Sequence, residues 1–174
     1  MKAIILVFLS IVFLSCTAIR VNYDYDKQTD FSNYATYNYY PEIDTGLSEL
    51  DDKRLFKVID STMQAKGFLL SEEPDFLMNI QSSTFVAGSR NSVGVGLGSA
   101  GRNVGGGISF GVPVGGRKVN RQIIFDLIDT KKDELFWQGS TESAFKENAS
   151  PLQREQDFIA IVAKVFAAYP PSKN

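Results

Sequence analysis

Histidine is missing from this chain altogether, and cysteine occurs once, as Cys16. Without histidine there is no imidazole to act as general base, to complete a Ser-His triad or to fill the usual zinc and iron sites. A single cysteine excludes an internal disulfide and a paired-thiolate metal site. Positive charge is not in surplus either: 18 Lys and Arg stand against 20 Asp and Glu, a net charge of −2. The basic surface that phosphate neutralisation requires is therefore absent, and nucleic acid is not an expected partner. No metal and no cofactor are expected. Carboxylates, tyrosines, lysines and arginines are what remains for chemistry.

Long apolar runs are also lacking. Residues 3–14 are apolar apart from Ser10 and follow the positive charge of Lys2. Such a run rises about 18 Å as a helix, against a hydrocarbon core of about 30 Å. It is too short to span, and Arg20 closes any extension of it. A basic start, a short apolar core and the small residue Ser15 describe a secretory signal, with residues 1–15 removed. The next residue is Cys16. Phe13-Leu14-Ser15-Cys16 resembles the bacterial lipobox, with Phe13 where leucine is usual. The resemblance implies cleavage before Cys16 and lipid modification of that cysteine, which then carries two or three palmitate-type chains. Two or more chains make a stable anchor where one is marginal, at about 0.8 kcal/mol per buried methylene. Thr17 stands where aspartate would signal retention in the inner membrane. The expected location is the cell envelope, lipid-anchored in the outer membrane and facing the periplasm. Losing Lys2 leaves 17 basic against 20 acidic residues, so the mature net charge is −3.

Residues 16–22 form the lipidated cysteine and a tether, and 23–171 are expected to make one globular domain, a size that supports one ordinary core. Tyr23 and Tyr25 alternate with Asp24 and Asp26 as in a half-buried strand. Asp30 to Asn33 read as a turn, and Thr36 to Tyr40 as a strand stopped by Pro41. Ser48 and Asp51 resemble a capping pair before a helix whose stripe is Leu55, Val58, Ile59, Thr62 and Met63, with Gly67 at its end. Residues 75–86 predict a long strand with Phe76, Met78 and Ile80 on one face. Residues 122–129 and 134–145 predict a hairpin joined by Thr130-Lys131-Lys132-Asp133, with Leu135, Trp137 and Gly139 sharing one face of its second strand. Ser150, Pro151 and Gln153 cap a last helix carrying the stripe Phe158, Ile161, Val162, Val165 and Tyr169, ended by Pro170-Pro171. The fold class is α+β: an antiparallel sheet with two amphipathic helices on one face.

Eleven of the 14 glycines lie between Gly88 and Gly116, making residues 88–118 a glycine-rich insertion. Gly96-Leu97-Gly98-Ser99-Ala100-Gly101 matches the dinucleotide fingerprint in letters, but the glycines that follow cannot form the helix this site needs. Gly111 to Lys118 likewise misses the phosphate loop, because a strand rather than a helix follows it. Two structural readings stay open. Val93, Val95 and Leu97, then Ile108, Phe110, Val112 and Val114, alternate with bare positions as in a hairpin with one apolar face. Glycine's entropy on ordering favours a mobile loop instead.

Paired carboxylates offer acid and base: Asp24 with Asp26, Asp51 with Asp52, Asp126 with Asp129, and Asp133 with Glu134. Adjacent helical acids diverge by about 100°, and the other pairs fit solvated faces and turns. The tyrosines at 23, 25, 34, 37, 39 and 40 suit a sugar platform or, more simply, a strand core and rim.

Val21 to Asp26, Asp30 to Tyr37, Lys66-Gly67-Phe68, Asp75 to Ile80, Leu127-Ile128-Asp129, Phe136-Trp137-Gln138-Gly139 and Tyr169-Pro170-Pro171 together resemble a family of bacterial lipoproteins catalogued as domain of unknown function number 4136. The resemblance implies an envelope lipoprotein with a sheet and two helices, and it brings no catalytic residues. The expected function is a non-catalytic binding or scaffolding component of the envelope, held at the membrane by its lipid and partnered by another envelope protein. The alternatives are an auxiliary of lipid or solute transport using a groove between sheet and helices, and a carboxylate-based glycan hydrolase.

Overall fold

A computed structural model describes residues 18–86, 92–94, 111–113 and 119–171. Cys16, residues 1–15 with their expected signal, and most of the glycine-rich insertion lie outside the described residues. Within that insertion, β5 (Ser92–Gly94) pairs antiparallel with β6 (Gly111–Pro113).

The main sheet has six strands: β1 (Arg20–Tyr25), β2 (Thr36–Tyr39), β3 (Leu69–Leu70), β4 (Phe76–Val86), β7 (Val119–Asp129) and β8 (Glu134–Ala144), in the order β1-β8-β7-β4-β2-β3. Two helices, α1 (Glu49–Ala65) and α2 (Pro151–Val165), complete the α+β architecture. The sheet is mostly antiparallel, as expected. The exception is β2, which runs parallel to both β3 and β4. The cause is topological, since α1 lies between β2 and these two strands, and parallel neighbours need such a crossover.

Both helices begin where the sequence predicts. Ser48 accepts from the Asp51 N–H, and Ser150 accepts from the Gln153 N–H, so each hydroxyl satisfies a donor that the first turn leaves open. Gly67 follows α1 with φ +92°, a left-handed conformation that glycine adopts without strain. The stripes bury Leu55, Val58, Ile59 and Met63 on α1 and Phe158, Ile161, Val162 and Val165 on α2. They meet the inward row of the sheet, including Phe76, Met78, Ile80, Ile123, Phe125 and Leu127. Among the described residues, twenty buried apolar ones make one core.

Gly139 sets how closely α2 approaches. A Cβ there would stand 2.4 Å from Trp137 and 2.6 Å from Val165, so only glycine fits between the helix and the indole.

One expectation is corrected on β8. The alternation of the sequence places Leu135 on the face of Trp137 and Gly139, with Phe136 opposite. Instead Phe136 and Trp137 are both buried and Leu135 is exposed. The register shifts between Leu127 and Ile128: Leu127 faces Trp137 while Ile128 faces Leu135, leaving Phe136 as an extra residue. A bulge of this kind lets consecutive side chains turn inward. Phe136 uses it to stack on Tyr34, with ring centroids 4.2 Å apart.

Candidate functional site

Six of the eight carboxylates proposed as acid-base pairs are held by separate tasks. Asp24 accepts from the Tyr25 N–H at 2.9 Å, and Asp26 accepts from the Gln28 N–H and the Thr29 hydroxyl. Asp51 is buried and accepts from Arg54 and Arg154, each at 2.8 Å, tying the start of α1 to α2. Asp52 turns away to the Thr45 hydroxyl. Asp126 accepts from the Gln138 amide across the β7–β8 ladder at 2.7 Å. Asp129 accepts from the Tyr34 hydroxyl at 2.7 Å and from the Lys131 and Lys132 N–H groups, closing the β7–β8 turn. Asp133 occupies the left-handed position of that turn, with φ 54°, and Glu134 faces Asp129 across the ladder.

Burial alone would push the Asp129 carboxyl up. The Tyr34 hydroxyl and the N–H groups of Lys132 and Lys131 outweigh it and hold the group below the usual carboxylate range. A general acid at neutral pH needs the reverse, a carboxyl whose pKa is raised. Asp75, which was not among the predicted pairs, is also lowered. The Ala35 N–H is the main cause, with the Thr36 hydroxyl and N–H adding to it.

The tyrosines divide between core and rim. Tyr37 and Tyr39 both donate to Asp60, at 2.8 and 2.6 Å. Burial, followed by the bond to a carboxylate, pushes the hydroxyls of Tyr34, Tyr37 and Tyr39 well above the ordinary phenol value, so none serves as a base at neutral pH. Tyr23 and Tyr40 remain exposed. Sequence reasoning passed over Asp60 and Arg154. The i,i+3 spacing of Asp51 and Arg54 is the local signal for that cluster, but nothing in the sequence brings Arg154 to it.

The space between sheet and helices is filled. Trp137, Phe125, Phe166 and Tyr169 occupy it at no more than 2% exposure, in mutual ring contact. The groove that a transported lipid would use is therefore occupied by side chains. A depression of about 300 Å³ lies at the edge of the sheet instead, lined by Asp24, Tyr25, Asp26, Leu135, Phe136, Trp137 and Gln138. A smaller one of about 20 Å³ lies where β7 and β8 meet the start of α2, beside Arg121 and Arg154. Arg121 lies 3.9 Å over the Phe145 ring, and its buried Nε has no hydrogen-bond partner among the described residues.

The face of the sheet opposite the helices is uncovered by them and mixed, with Leu77, Ile128 and Leu135 making one apolar row beside more polar ones. Register aligns Asn79, Asp126, Gln138 and Asp24 in one row and Gln81, Ile124, Ser140 and Asn22 in the next. These rows offer amide donors and acceptors across four strands, with no nucleophile activated by a base. Among the described residues no group of His, Cys, Asp and Glu is arranged to hold a metal ion.

A six-stranded sheet with two helices on one face, its strands and helices tied together by carboxylates, is an α+β module. The chain belongs to the domain of unknown function family DUF4136, whose model matches residues 21–171. Among curated proteins none matches. The fold is similar to part of a PDZ domain protein from Parabacteroides distasonis ATCC 8503, at 15% identity and a TM-score of 0.59. That match covers 95% of this chain and 39% of the other, so this chain spans about two fifths of that protein. PelC from Paraburkholderia phytofirmans, solved as a dodecamer, is similar more distantly. The two PelC structures give 9% and 12% identity, each at a TM-score of 0.46. The matches cover 86% and 90% of this chain, and 95% and 100% of those chains.

Proposed function

We propose that the protein is a cell-envelope lipoprotein, anchored through Cys16 in the outer membrane and facing the periplasm, that acts by binding another envelope component rather than by catalysis. The observation that carries the reading is the commitment of the carboxylates: Asp51, Asp75, Asp126 and Asp129 each accept hydrogen bonds that hold one element to another. Residues bound in this way support a scaffold. The signal segment and the lone Cys16 support the anchor. The open sheet face supports the binding role, because a rigid strand array presents side chains at fixed spacing.

Photo-cross-linkers placed singly at Gln81 and Ser140 in the native envelope test the proposal, with Lys57 on α1 as the comparison. The expected result is one discrete cross-linked product from the sheet positions and none from Lys57. Equal, diffuse labelling from all three positions would overturn the binding role of the face.

A further inference from the structure

The strand β1 lies at one edge of the sheet, and among the described residues only β8 pairs with it. Which of its backbone groups point outward follows from the ladder. The Asp26 N–H donates to Phe136 O at 3.0 Å, and Tyr25 faces Trp137 in register. Bonded pairs alternate along an antiparallel ladder, so Asp24, Asn22 and Arg20 bond inward to β8. The opposite ladder agrees: the Phe145 N–H donates to Val119 O, so the odd-numbered residues of β8 face β7 and its even-numbered ones face β1. The N–H and C=O groups of Val21, Tyr23 and Tyr25 therefore point away from the sheet. Of these, the Tyr25 N–H is already taken by its neighbour's carboxylate, Asp24 Oδ1. Among the described residues, Val21 and Tyr23 are left without partners for these donors and acceptors, on an edge that carries no proline.

We propose that β1 pairs antiparallel with β1 of a second copy of this chain, about a twofold axis through Asn22, joining two sheets into one. This centre uses the free groups and no others: Val21 of each copy faces Tyr23 of the other, exchanging four N–H to O bonds. It also matches charge. Arg20 and Asp24 lie two residues either side of Asn22 on the open face, so Arg20 of one copy meets Asp24 of the other, twice. Opposite charges directly across a ladder are favourable, whereas like charges are not. Tyr23, which is 52% exposed, gains cover against Val21 of the second copy. Moving the centre to Tyr23 would call on the occupied Tyr25 N–H and would set Arg20 against Asp26, outside the strand. The polar rows of the open face would then continue across the axis.

A six-residue edge buries less than the roughly 1,200 Å² of a stable interface, so the pairing is weak between free molecules. Confinement of both copies to one membrane raises their effective concentration. The geometry of the pair does not depend on the lipid anchor, but its extent at low protein concentration does.

The test is disulfide formation by Asn22→Cys in the full chain on its host membrane. On the axis, residue 22 opposes itself in a non-bonded pair about 4.5 Å apart at Cα, within disulfide range. Lys57→Cys on α1 reports random collision, and the chain carrying Cys16 alone reports whether that thiol is blocked. Mild oxidation is expected to dimerise Asn22→Cys about tenfold faster than Lys57→Cys, because confinement is common to both and only the paired strands hold residue 22 against itself. Adding Arg20→Asp or Asp24→Arg singly should slow that step, and the double exchange should restore it. The proposal is overturned if Asn22→Cys is no faster than Lys57→Cys, or if the double exchange is no better than either single change. A disulfide formed by Cys16 alone would instead overturn the anchor. The same comparison, made on a Cys16→Ser chain at high concentration in solution, then decides the pairing.

Discussion

Replacing Gly139 with alanine probes how α2 docks on the sheet. A Cβ built there lies 2.4 Å from Trp137 Cη2, 3.0 Å from Trp137 Cζ3 and 2.6 Å from Val165 Cγ2. Ordinary carbon contacts lie at about 3.5–4.0 Å, so the methyl overlaps its neighbours on two sides by roughly an ångström. Neither neighbour can yield cheaply. Val165 is fully buried, and Trp137 is held by Phe166 and Tyr169 at centroid distances of 5.5 and 5.2 Å. Overpacking of this kind costs about 1–3 kcal/mol, and the two-sided clash places Gly139→Ala at the upper end. With a urea dependence of about 1–3 kcal/mol per molar, the denaturation midpoint should fall by roughly 1 M or more. Gly67→Ala supplies the comparison. Its φ of +92° strains any side chain, yet nothing lies within 4 Å of the added carbon, so the expected cost is about 1–2 kcal/mol from backbone alone. Trp137 is the single tryptophan, so its fluorescence reports the displacement directly. A Gly139→Ala protein with unchanged emission and a midpoint no lower than that of Gly67→Ala would refute this account of the docking.

Two further predictions follow from the polar groups. The Tyr169 hydroxyl is buried without a hydrogen-bond partner among the described residues, whereas the Tyr34 hydroxyl donates to Asp129. Tyr169→Phe should therefore leave the denaturation midpoint unchanged or raise it, and Tyr34→Phe should cost about 1–3 kcal/mol by leaving Asp129 under-bonded. The carboxyls of Asp75 and Asp129 both sit below their ordinary value when folded. The unfolded chain then binds protons first as pH falls, so their contribution is complete above the ordinary carboxylate pKa of about 3.9 and is lost as pH falls through the folded values. An acid titration of stability should show this loss below about pH 4, and Asp75→Asn combined with Asp129→Asn should flatten it.

The helices were legible because their signals are local. Ser48 with Asp51, and Ser150 with Pro151 and Gln153, mark starts, and each apolar stripe is read from spacing alone. The hairpin of β7 and β8 was legible for the same reason, with its turn at Thr130 to Asp133 flanked by alternating strands. What escaped was long-range. Nothing local says that β1 pairs with β8, more than a hundred residues away, or that β2 lies beside β4 in parallel. Leu69–Leu70 is too short to carry a period and reads as part of the stop after α1. The bulge at Phe136 inverts a simple alternation and is specified by the ring of Tyr34, a contact that exists only in the folded chain. At the site, the same carboxylates were visible in the sequence as pairs. Their separate employment was not, because Tyr34, Arg154 and Gln138 reach them from other elements.

The central claim, that this is a lipid-anchored envelope protein, is tested most directly by the intact mass of the protein purified from its host membrane. The expected species begins at Cys16 and exceeds the mass of residues 16–174 by two or three acyl chains, and Cys16→Ser should lose that added mass and leave the membrane fraction. A species that retains Met1, or one that begins at Cys16 with no added lipid mass, would contradict the claim.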